Sequence, residues 1–224
     1  MYPIYILSGG LATRLGDISK KTPKCLLEIN GKPFLHYQLK SLIKNNINDV
    51  TLCLGHLGDM VVKYVKNSEF RDHNISFCFD GKKRLGTGGA IKQAVQLEST
   101  PFFVMYGDSY LDISFKDVYD NFDDKNGPLM TIFKNNNQYD VSNVSLEGKN
   151  LKYSKTLNLD NAEYIDYGLS IFSKEHFKNF EGTFDLSALQ EYYSFKNKMQ
   201  WYIAKKRFYE IGSVKGLEEI KNIL

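Results

Sequence analysis

Apolar segments and helix-like patterns alternate along the first half of the chain. Four short segments rich in apolar residues predict buried strands, at residues 2–7, 49–54, 74–80 and 101–108. Three intervening segments have apolar residues at helical spacing and predict helices, at residues 33–46, 58–67 and 86–97. This alternation is typical of an α/β fold with a mostly parallel sheet and right-handed crossovers.

Shorter strands are predicted in the second half, where residues 147–150 have the character of a hairpin turn. The strands lie at residues 128–135, 141–148, 151–155, 163–172, 200–205 and 208–212, with helices at 185–195 and 214–224. No linker, low-complexity tract or internal repeat separates the two halves. We expect one domain, a Rossmann-like three-layer αβα sandwich with a mixed, mostly parallel central sheet.

Composition narrows the class of protein. The chain has 224 residues, 42% of them hydrophobic, and a formal net charge of +3. No basic stripe indicates a nucleic-acid partner, and no apolar run approaches the roughly 20 residues that a membrane-spanning helix needs. The N-terminus lacks the basic region of a signal peptide. Three widely spaced cysteines and four scattered histidines predict neither a disulfide framework nor a zinc site. We expect a soluble, cytoplasmic protein.

Polar and glycine-rich segments follow three of the predicted strands, at residues 8–24, 80–89 and 107–110. In parallel sheets the carboxyl ends of the strands form the ligand site, so these segments should converge there. Gly9 and Gly10 would let backbone N–H groups approach an anion, and Arg14 and Lys24 would add positive charge. The segment matches neither a Walker A loop nor GxGxxG. A tight structural turn and a phosphate site are both compatible with these residues alone.

Four motifs, taken together in their order along the chain, favour the phosphate site over a structural turn. They are "LSGGLATRL" followed by "PKCLLEINGKP" at residues 7–33, "RLGTGGAI" at 84–91, "VMYGDSYLD" at 104–112 and "FYEIGSVKGL" at 208–217. Together they span nearly the whole chain and resemble the signature of the sugar-1-phosphate nucleotidyltransferases. The glycine loop and the short length most resemble the D-glycero-D-manno-heptose 1-phosphate guanylyltransferase group.

The resemblance implies a reaction of an NTP with a sugar 1-phosphate that gives an NDP-sugar and pyrophosphate, in nucleotide-sugar and polysaccharide biosynthesis. GTP and the heptose 1-phosphate are the substrates that it favours. Such a step needs no covalent nucleophile, because the acceptor phosphate attacks the α-phosphorus itself. The protein has to align the two phosphates and neutralise their charge, with Mg²⁺ as the implied cofactor.

For the nucleotide, the resemblance implies a cradle, a pair of basic residues and a base pocket. The cradle would be formed by Gly9, Gly10 and Thr13, the base pocket by Asp80, Gly86, Thr87, Gly88 and Gly89. Arg14 would hold the β- and γ-phosphates, and Lys24 the α-phosphate or the sugar phosphate. Residues 1–112 would then be the nucleotide-binding half and residues 113–224 the sugar-binding half.

For the metal and the sugar, the resemblance implies two further groups. Asp108 and Glu210 would bind Mg²⁺, although the family usually has the shorter aspartate at the position of Glu210. The sugar would lie against Ser142, Asn143, Lys155, Asp166, Tyr167 and Gly168. Ser154 stands where the family often has a glutamate, which puts one sugar-hydroxyl contact in doubt. The alternative to these roles is purely structural: each charged residue would lie in a turn or at an ordinary surface position.

Three alternative functions remain open at this point. The first is a cytidylyltransferase acting on a non-sugar phosphate, and the second a metal-dependent glycosyltransferase that consumes an NDP-sugar through Asp108 and Asp112. The third is a nucleotide sensor without turnover. Aromatic residues crowd residues 192–209 and predict either core packing or, if exposed, a homodimer interface.

Overall fold

The computed structural model describes residues 2–10, 21–81 and 83–224. Its strands are β1 (Ile4–Leu7), β2 (Glu28–Ile29), β3 (Lys32–Pro33), β4 (Val50–Leu54), β5 (Ile75–Phe79), β6 (Phe102–Tyr106), β7 (Ser109–Leu111), β8 (Leu129–Lys134), β9 (Val144–Glu147), β10 (Asn150–Tyr153), β11 (Tyr164–Phe172), β12 (Gln200–Ile203) and β13 (Phe208–Glu210). The helices are α1 (Phe34–Lys44), α2 (Gly58–Lys66), α3 (Gly86–Ala94), α4 (Phe115–Asp120), α5 (Leu186–Phe195) and α6 (Val214–Lys221), and 3-10 turns lie at Lys24–Leu26, Asp124–Asn126 and Lys174–Phe177.

The central sheet is mixed, with the strand order β10-β9-β11-β6-β1-β4-β5 and with β8 and β12 added beyond β11. Strands β6, β1, β4 and β5 are parallel, as the alternating pattern of the first half predicts. Strand β11 pairs antiparallel with β6 and β8, and the short β9–β10 hairpin continues the sheet. The predicted α/β class and mixed sheet are therefore confirmed.

Helices cover both faces of the sheet because β1 is apolar on both sides. Ile4 and Ile6 pack in one core with Leu35 of α1 and Val61 of α2. On the other face Tyr5 packs in a second core with Ile91 of α3 and Leu189 of α5. Side chains alternate across a strand, so one short segment supplies both cores. This arrangement confirms the three-layer αβα architecture.

A small second sheet brings the C-terminal segment to the end of β6. Strand β13 pairs antiparallel with β7, with Glu210 opposite Ser109. The Ile211 N–H donates to the Asp108 carbonyl oxygen at 3.0 Å. Residues that are about one hundred positions apart in sequence are thus adjacent at one end of the central sheet. The apolar pattern predicts β6 and β13 but does not separate β7 from the strand before it.

Two further expectations concern a membrane-spanning helix and a homodimer interface. In the described residues no helix is long and apolar enough to cross a membrane. Tyr192 and Phe195 on α5 are 40% and 47% exposed, whereas most of the other C-terminal aromatics pack more deeply. The homodimer stays a prediction.

Candidate active site

A cavity of about 680 Å³ lies beyond the carboxyl ends of the parallel strands. Residues after β1, β4, β5 and β6 line it, namely Ser8, Gly9, Gly10, Gly55, His56, Asp80, Gly81, Gly107 and Asp108. Lys24, Arg84, Gly86, Thr87, Tyr106, Lys155, Asp185 and Gly212 complete the wall. The three segments predicted to meet at this edge do so in their described parts.

The two N-terminal glycines have different environments. A Cβ on Gly9 would lie 2.9 Å from the Gly55 backbone nitrogen, so glycine is needed there for β1 and β4 to end side by side. A Cβ on Gly10 would meet no described atom within 4 Å. Gly9 therefore allows the ends of β1 and β4 to pack closely, whereas the backbone of Gly10 is open toward the cavity. Thr13 and Arg14, the other predicted members of this cradle, lie outside the described residues.

A close ion pair lies in the wall of the cavity. Lys24, at the start of a 3-10 turn, places its Nζ 2.5 Å from Asp108 Oδ2, just beyond β6. The Ser109 hydroxyl lies 3.4 Å from the other carboxylate oxygen of Asp108. The lysine side chain is 16% exposed and the aspartate 35% exposed, so both remain open to a ligand.

Glu210 faces the same point from β13. A Cβ on Gly212 would lie 3.0 Å from both Glu210 Oε2 and Lys24 Nζ. The absence of a side chain at Gly212 therefore leaves a cradle between the carboxylate and the ammonium group. Asp108 and Glu210 thus both have a carboxylate oxygen near Lys24, and this donor set fits a magnesium site, because Mg²⁺ takes one or two carboxylates and completes its shell with water and substrate phosphates.

Only part of the glycine-rich start of α3 lines the cavity. The Phe184 carbonyl oxygen accepts the N–H groups of Gly88 and Gly89 at 3.0 and 3.1 Å. A Cβ on Gly88 would lie 2.3 Å from the Phe184 ring. Gly86 and Thr87 line the cavity, whereas Gly88 and Gly89 are not among its lining residues, and their place in a base pocket stays a prediction. These two glycines are needed for the close approach of the segment before α5.

Asp185 is a cavity residue that the sequence pattern does not reveal. Its Oδ1 lies 3.3 Å from the Thr87 nitrogen and 3.4 Å from the Thr87 hydroxyl oxygen. The Thr87 hydroxyl in turn accepts the Leu186 N–H at 2.8 Å. The first turns of α3 and α5 thus cap each other. An aspartate before a predicted helix is an N-cap signal, and only the fold shows that it also lines the cavity.

Asp166 lies at an irregularity of β11. The pairing register with β8 shifts between Asp166 and Ser170. Asp166 is still paired with Ile132 of β8. Its N–H donates to Asn143 Oδ1 at 2.9 Å, and its carboxylate accepts the Gly168 N–H at 2.9 Å. Gly168 has a φ of +84°, which glycine adopts without strain. This local geometry holds the carboxylate near Tyr106 and Lys155, which both line the cavity.

Of the six predicted sugar contacts, Lys155 lines the cavity, whereas Ser142, Asn143, Asp166, Tyr167 and Gly168 are not among its lining residues. Tyr167 is fully buried, and its ring packs between those of Phe133 and Phe208. Strand alternation sends its side chain to the opposite face from Asp166, so we correct its role to core packing. The Ser142 hydroxyl accepts from the Asn137 N–H and lies 3.0 Å from Asn135 Nδ2, so it orders its own loop.

Burial raises the pKa of Asp166 from 3.8 to about 6, although the Gly168 N–H and Lys155 partly oppose the rise. A folded-state pKa above the unfolded value means that the ionised carboxylate destabilises the fold above about pH 6, and that this penalty vanishes below about pH 4. We expect Asp166→Asn to melt at a higher temperature than the wild type at about pH 8, with a difference that shrinks as the pH falls. Thermal unfolding across this range measures it. Asp72→Asn is the control, because the Asp72 side chain is 83% exposed. A difference that is independent of pH would contradict the assignment.

Comparison with known proteins identifies the family of the chain. Residues 4–142 match the model of the family described as nucleotidyl transferase. The chain is 31% identical to D-glycero-alpha-D-manno-heptose 1-phosphate guanylyltransferase of Campylobacter jejuni over 87% of this chain and 83% of that protein. It is also 36% identical to the beta catalytic subunit of mannose-1-phosphate guanylyltransferase of Xenopus tropicalis, over 50% of this chain and 32% of that protein.

Solved structures share the fold over the whole chain. HddC from Yersinia pseudotuberculosis, complexed with GMP-PN, has a TM-score of 0.81 at 23% identity and covers 100% of this chain and 99% of that one. The inositol-1-phosphate CTP transferase from T. maritima has a TM-score of 0.82 at 19% identity, with coverages of 100% and 94%. The fold is that of the nucleotide-diphospho-sugar transferases. The family match and the Campylobacter relative confirm the resemblance found in the motifs. The chain belongs to the nucleotidyl transferase family and is a nucleotidyltransferase.

Proposed function

We propose that the protein transfers a nucleotidyl group from an NTP to a sugar 1-phosphate and releases pyrophosphate. The observation that carries the proposal is the convergence of Lys24, Asp108 and Glu210 at the carboxyl end of the parallel sheet. Phosphate groups bring negative charge, and this cluster combines a cation with two carboxylates that fit a magnesium ion. The cavity around it is of a size typical of small-molecule sites.

In the proposed reaction an oxygen of the acceptor phosphate forms a bond to the α-phosphorus of the NTP. The bond from that phosphorus to the β-phosphate oxygen breaks, and pyrophosphate leaves with the electron pair. Lys24 neutralises charge on the phosphates, while Asp108 and Glu210 would hold Mg²⁺. The bound ion would supply positive charge to the phosphate oxygens and help to align them. No proton transfer from the protein is needed.

The other residue roles that we propose divide between the two halves of the chain. In our proposal residues 1–112 and 113–224 form one domain, with Gly9, Gly10, Thr13 and Arg14 around the triphosphate. Asp80, Gly86 and Thr87 line the part of the cavity assigned to the base. We assign the acceptor side to Lys155, which lines the cavity, together with Asp166 and the Asn143 side chain that accepts the Asp166 N–H.

GTP and a heptose 1-phosphate are the substrates we propose. Support comes from the Campylobacter relative, which is named for both substrates, and from the Xenopus relative, which is named for guanylyl transfer. The proposal extends to the synthesis of nucleotide sugars for polysaccharides.

Pyrophosphate release with four NTPs and a panel of sugar 1-phosphates, including the heptose and mannose compounds, tests the function. We expect turnover with GTP and D-glycero-D-manno-heptose 1-phosphate in the presence of Mg²⁺. Turnover with another pair would correct the substrates but retain the reaction. Turnover only with a non-sugar phosphate would instead support the cytidylyltransferase alternative. Release of free NDP from an NDP-sugar would support the glycosyltransferase, and NTP binding without any turnover would support a sensor.

A further inference from the structure

Arg207 lies between two tyrosine rings in the connection from β12 to β13. Its guanidinium carbon is 3.8 Å from the ring centroid of Tyr139 and 4.5 Å from that of Tyr209. Its Nη2 donates to Glu219 Oε2 on α6 at 2.8 Å, and its side chain is 24% exposed. Stacking of a planar guanidinium on two aromatic faces, with one charged partner at its edge, holds the side chain in a single orientation.

Tyr139 belongs to the loop that joins β8 to β9, residues 135–143, which we call the β8–β9 loop. The Tyr139 N–H donates to Asn135 Oδ1 at 3.1 Å. Asn135 Nδ2 lies 3.0 Å from the Ser142 hydroxyl, and the Ser142 N–H donates to Asn137 Oδ1 at 2.7 Å. These bonds make the loop one connected unit, so a displacement of Tyr139 reaches both of its ends.

Apolar burial contributes little to holding the outer part of this loop. Val141 is 70% exposed and Tyr139 is 37% exposed. Tyr139 has one aromatic neighbour below it, Phe133, at a centroid distance of 6.2 Å. The contact with Arg207 is much closer, so it is a main tertiary restraint on the loop tip.

The same loop ends at Asn143, which holds the two segments that carry Asp166 and Lys155. Asn143 accepts the Asp166 N–H with its side chain and the Ser154 N–H with its carbonyl oxygen, at 2.9 and 3.1 Å. The Ser154 hydroxyl then accepts the N–H groups of Thr156 and Leu157, which form the turn that carries Lys155. A continuous path therefore runs from Arg207 to the backbones that present Asp166 and Lys155.

We propose that Arg207 is a positioning residue for the acceptor site, which it reaches through the β8–β9 loop. This inference rests on the proposed function for the identity of the acceptor. Lys24, Asp108 and the start of α3 lie outside this path. Loss of Arg207 therefore weakens acceptor binding and leaves nucleotide binding unchanged.

Steady-state kinetics of Arg207→Ala test the inference. We expect the KM for the sugar 1-phosphate to rise by about threefold to thirtyfold, the range that corresponds to a cation–π contact, with the KM for the NTP unchanged. Arg71→Ala is the matched control, because Arg71 is exposed and pairs with the neighbouring Asp72. Equal changes in both KM values, or no change in either, would overturn the proposal.

Variants of Tyr139 test the same contact from the other side and cover the case in which Arg207→Ala does not fold. Tyr139→Phe retains the ring and should behave like the wild type, whereas Tyr139→Ala should reproduce the acceptor defect. An acceptor defect of the same size in both variants would contradict a role for ring stacking.

Amide hydrogen exchange of the substrate-free protein gives a readout that does not depend on activity. In Arg207→Ala the protected amides of Asn137, Tyr139 and Ser142 should exchange faster, while those of β1 and β4 remain as in the wild type. Unchanged exchange in the loop would overturn the proposal even if the enzyme is active. A wild type that is silent with every sugar 1-phosphate would contradict the proposed function, and the exchange result would still decide whether Arg207 holds the loop.

Discussion

Asp108→Asn should lower the rate of pyrophosphate release by about 10²- to 10³-fold, since it removes a charge from the centre of the site. Asparagine has almost the same shape, so the turn after β6 and its pairing with Ile211 should persist. What is lost is the negative charge that meets Lys24 at 2.5 Å and that would hold Mg²⁺. The melting temperature should change little, because the side chain is 35% exposed and packs in no core.

Rates at saturating NTP and acceptor, together with Mn²⁺ binding followed by electron paramagnetic resonance in the presence of NTP, measure this effect. Asp112→Asn is the matched control. Asp112 lies in the same motif but pairs with Lys206 at the surface, at 2.7 Å. Near-normal turnover of Asp108→Asn would contradict the site. A loss of similar size in Asp112→Asn would favour the glycosyltransferase alternative, which uses both carboxylates.

Lys24→Met should also lower turnover, by about 10²-fold, but should have the opposite effect on metal binding. The ammonium group of Lys24 lies against the oxygen of Asp108 that a cation would use, and close to Glu210. Without a triphosphate to attract it away, Lys24 competes with the ion for these carboxylates. Removing its charge should therefore tighten the binding of Mn²⁺ to the nucleotide-free protein, while Asp108→Asn weakens it.

The opposite sign separates an electrostatic role of Lys24 from a general loss of structure. Misfolding would weaken metal binding and turnover together, whereas the proposed competition changes them in opposite directions. Lys21→Met is the control, because Lys21 is an exposed lysine three residues earlier in the chain. Weaker Mn²⁺ binding in Lys24→Met than in the wild type would show that Lys24 does not compete for Asp108.

Local patterns determined much of the fold. The apolar residues of β1 and α1 recur at short intervals along the sequence. These intervals predict a strand or a helix, because each side chain must face either a core or water. The edge at which the ligand binds also follows from sequence, since parallel strands place their carboxyl ends together. The sequence therefore predicts that Lys24 and Asp108 lie at the same edge of the sheet.

Contacts between distant segments required the tertiary structure. Nothing near Asp185 in sequence shows that it caps Thr87, and Gly88 and Gly89 have the same composition whether they face a base or the Phe184 ring. Tyr167 and Asp166 are neighbours in one motif, yet the pleat sends one into the core and leaves the other at the acceptor side of the site. Arg207 meets Tyr139 only because β12 and β8 are parallel partners. Hydrophobic periodicity predicts which residues are buried. Which residues they pack against depends on contacts between segments that are distant in sequence, and only the tertiary structure determines these contacts.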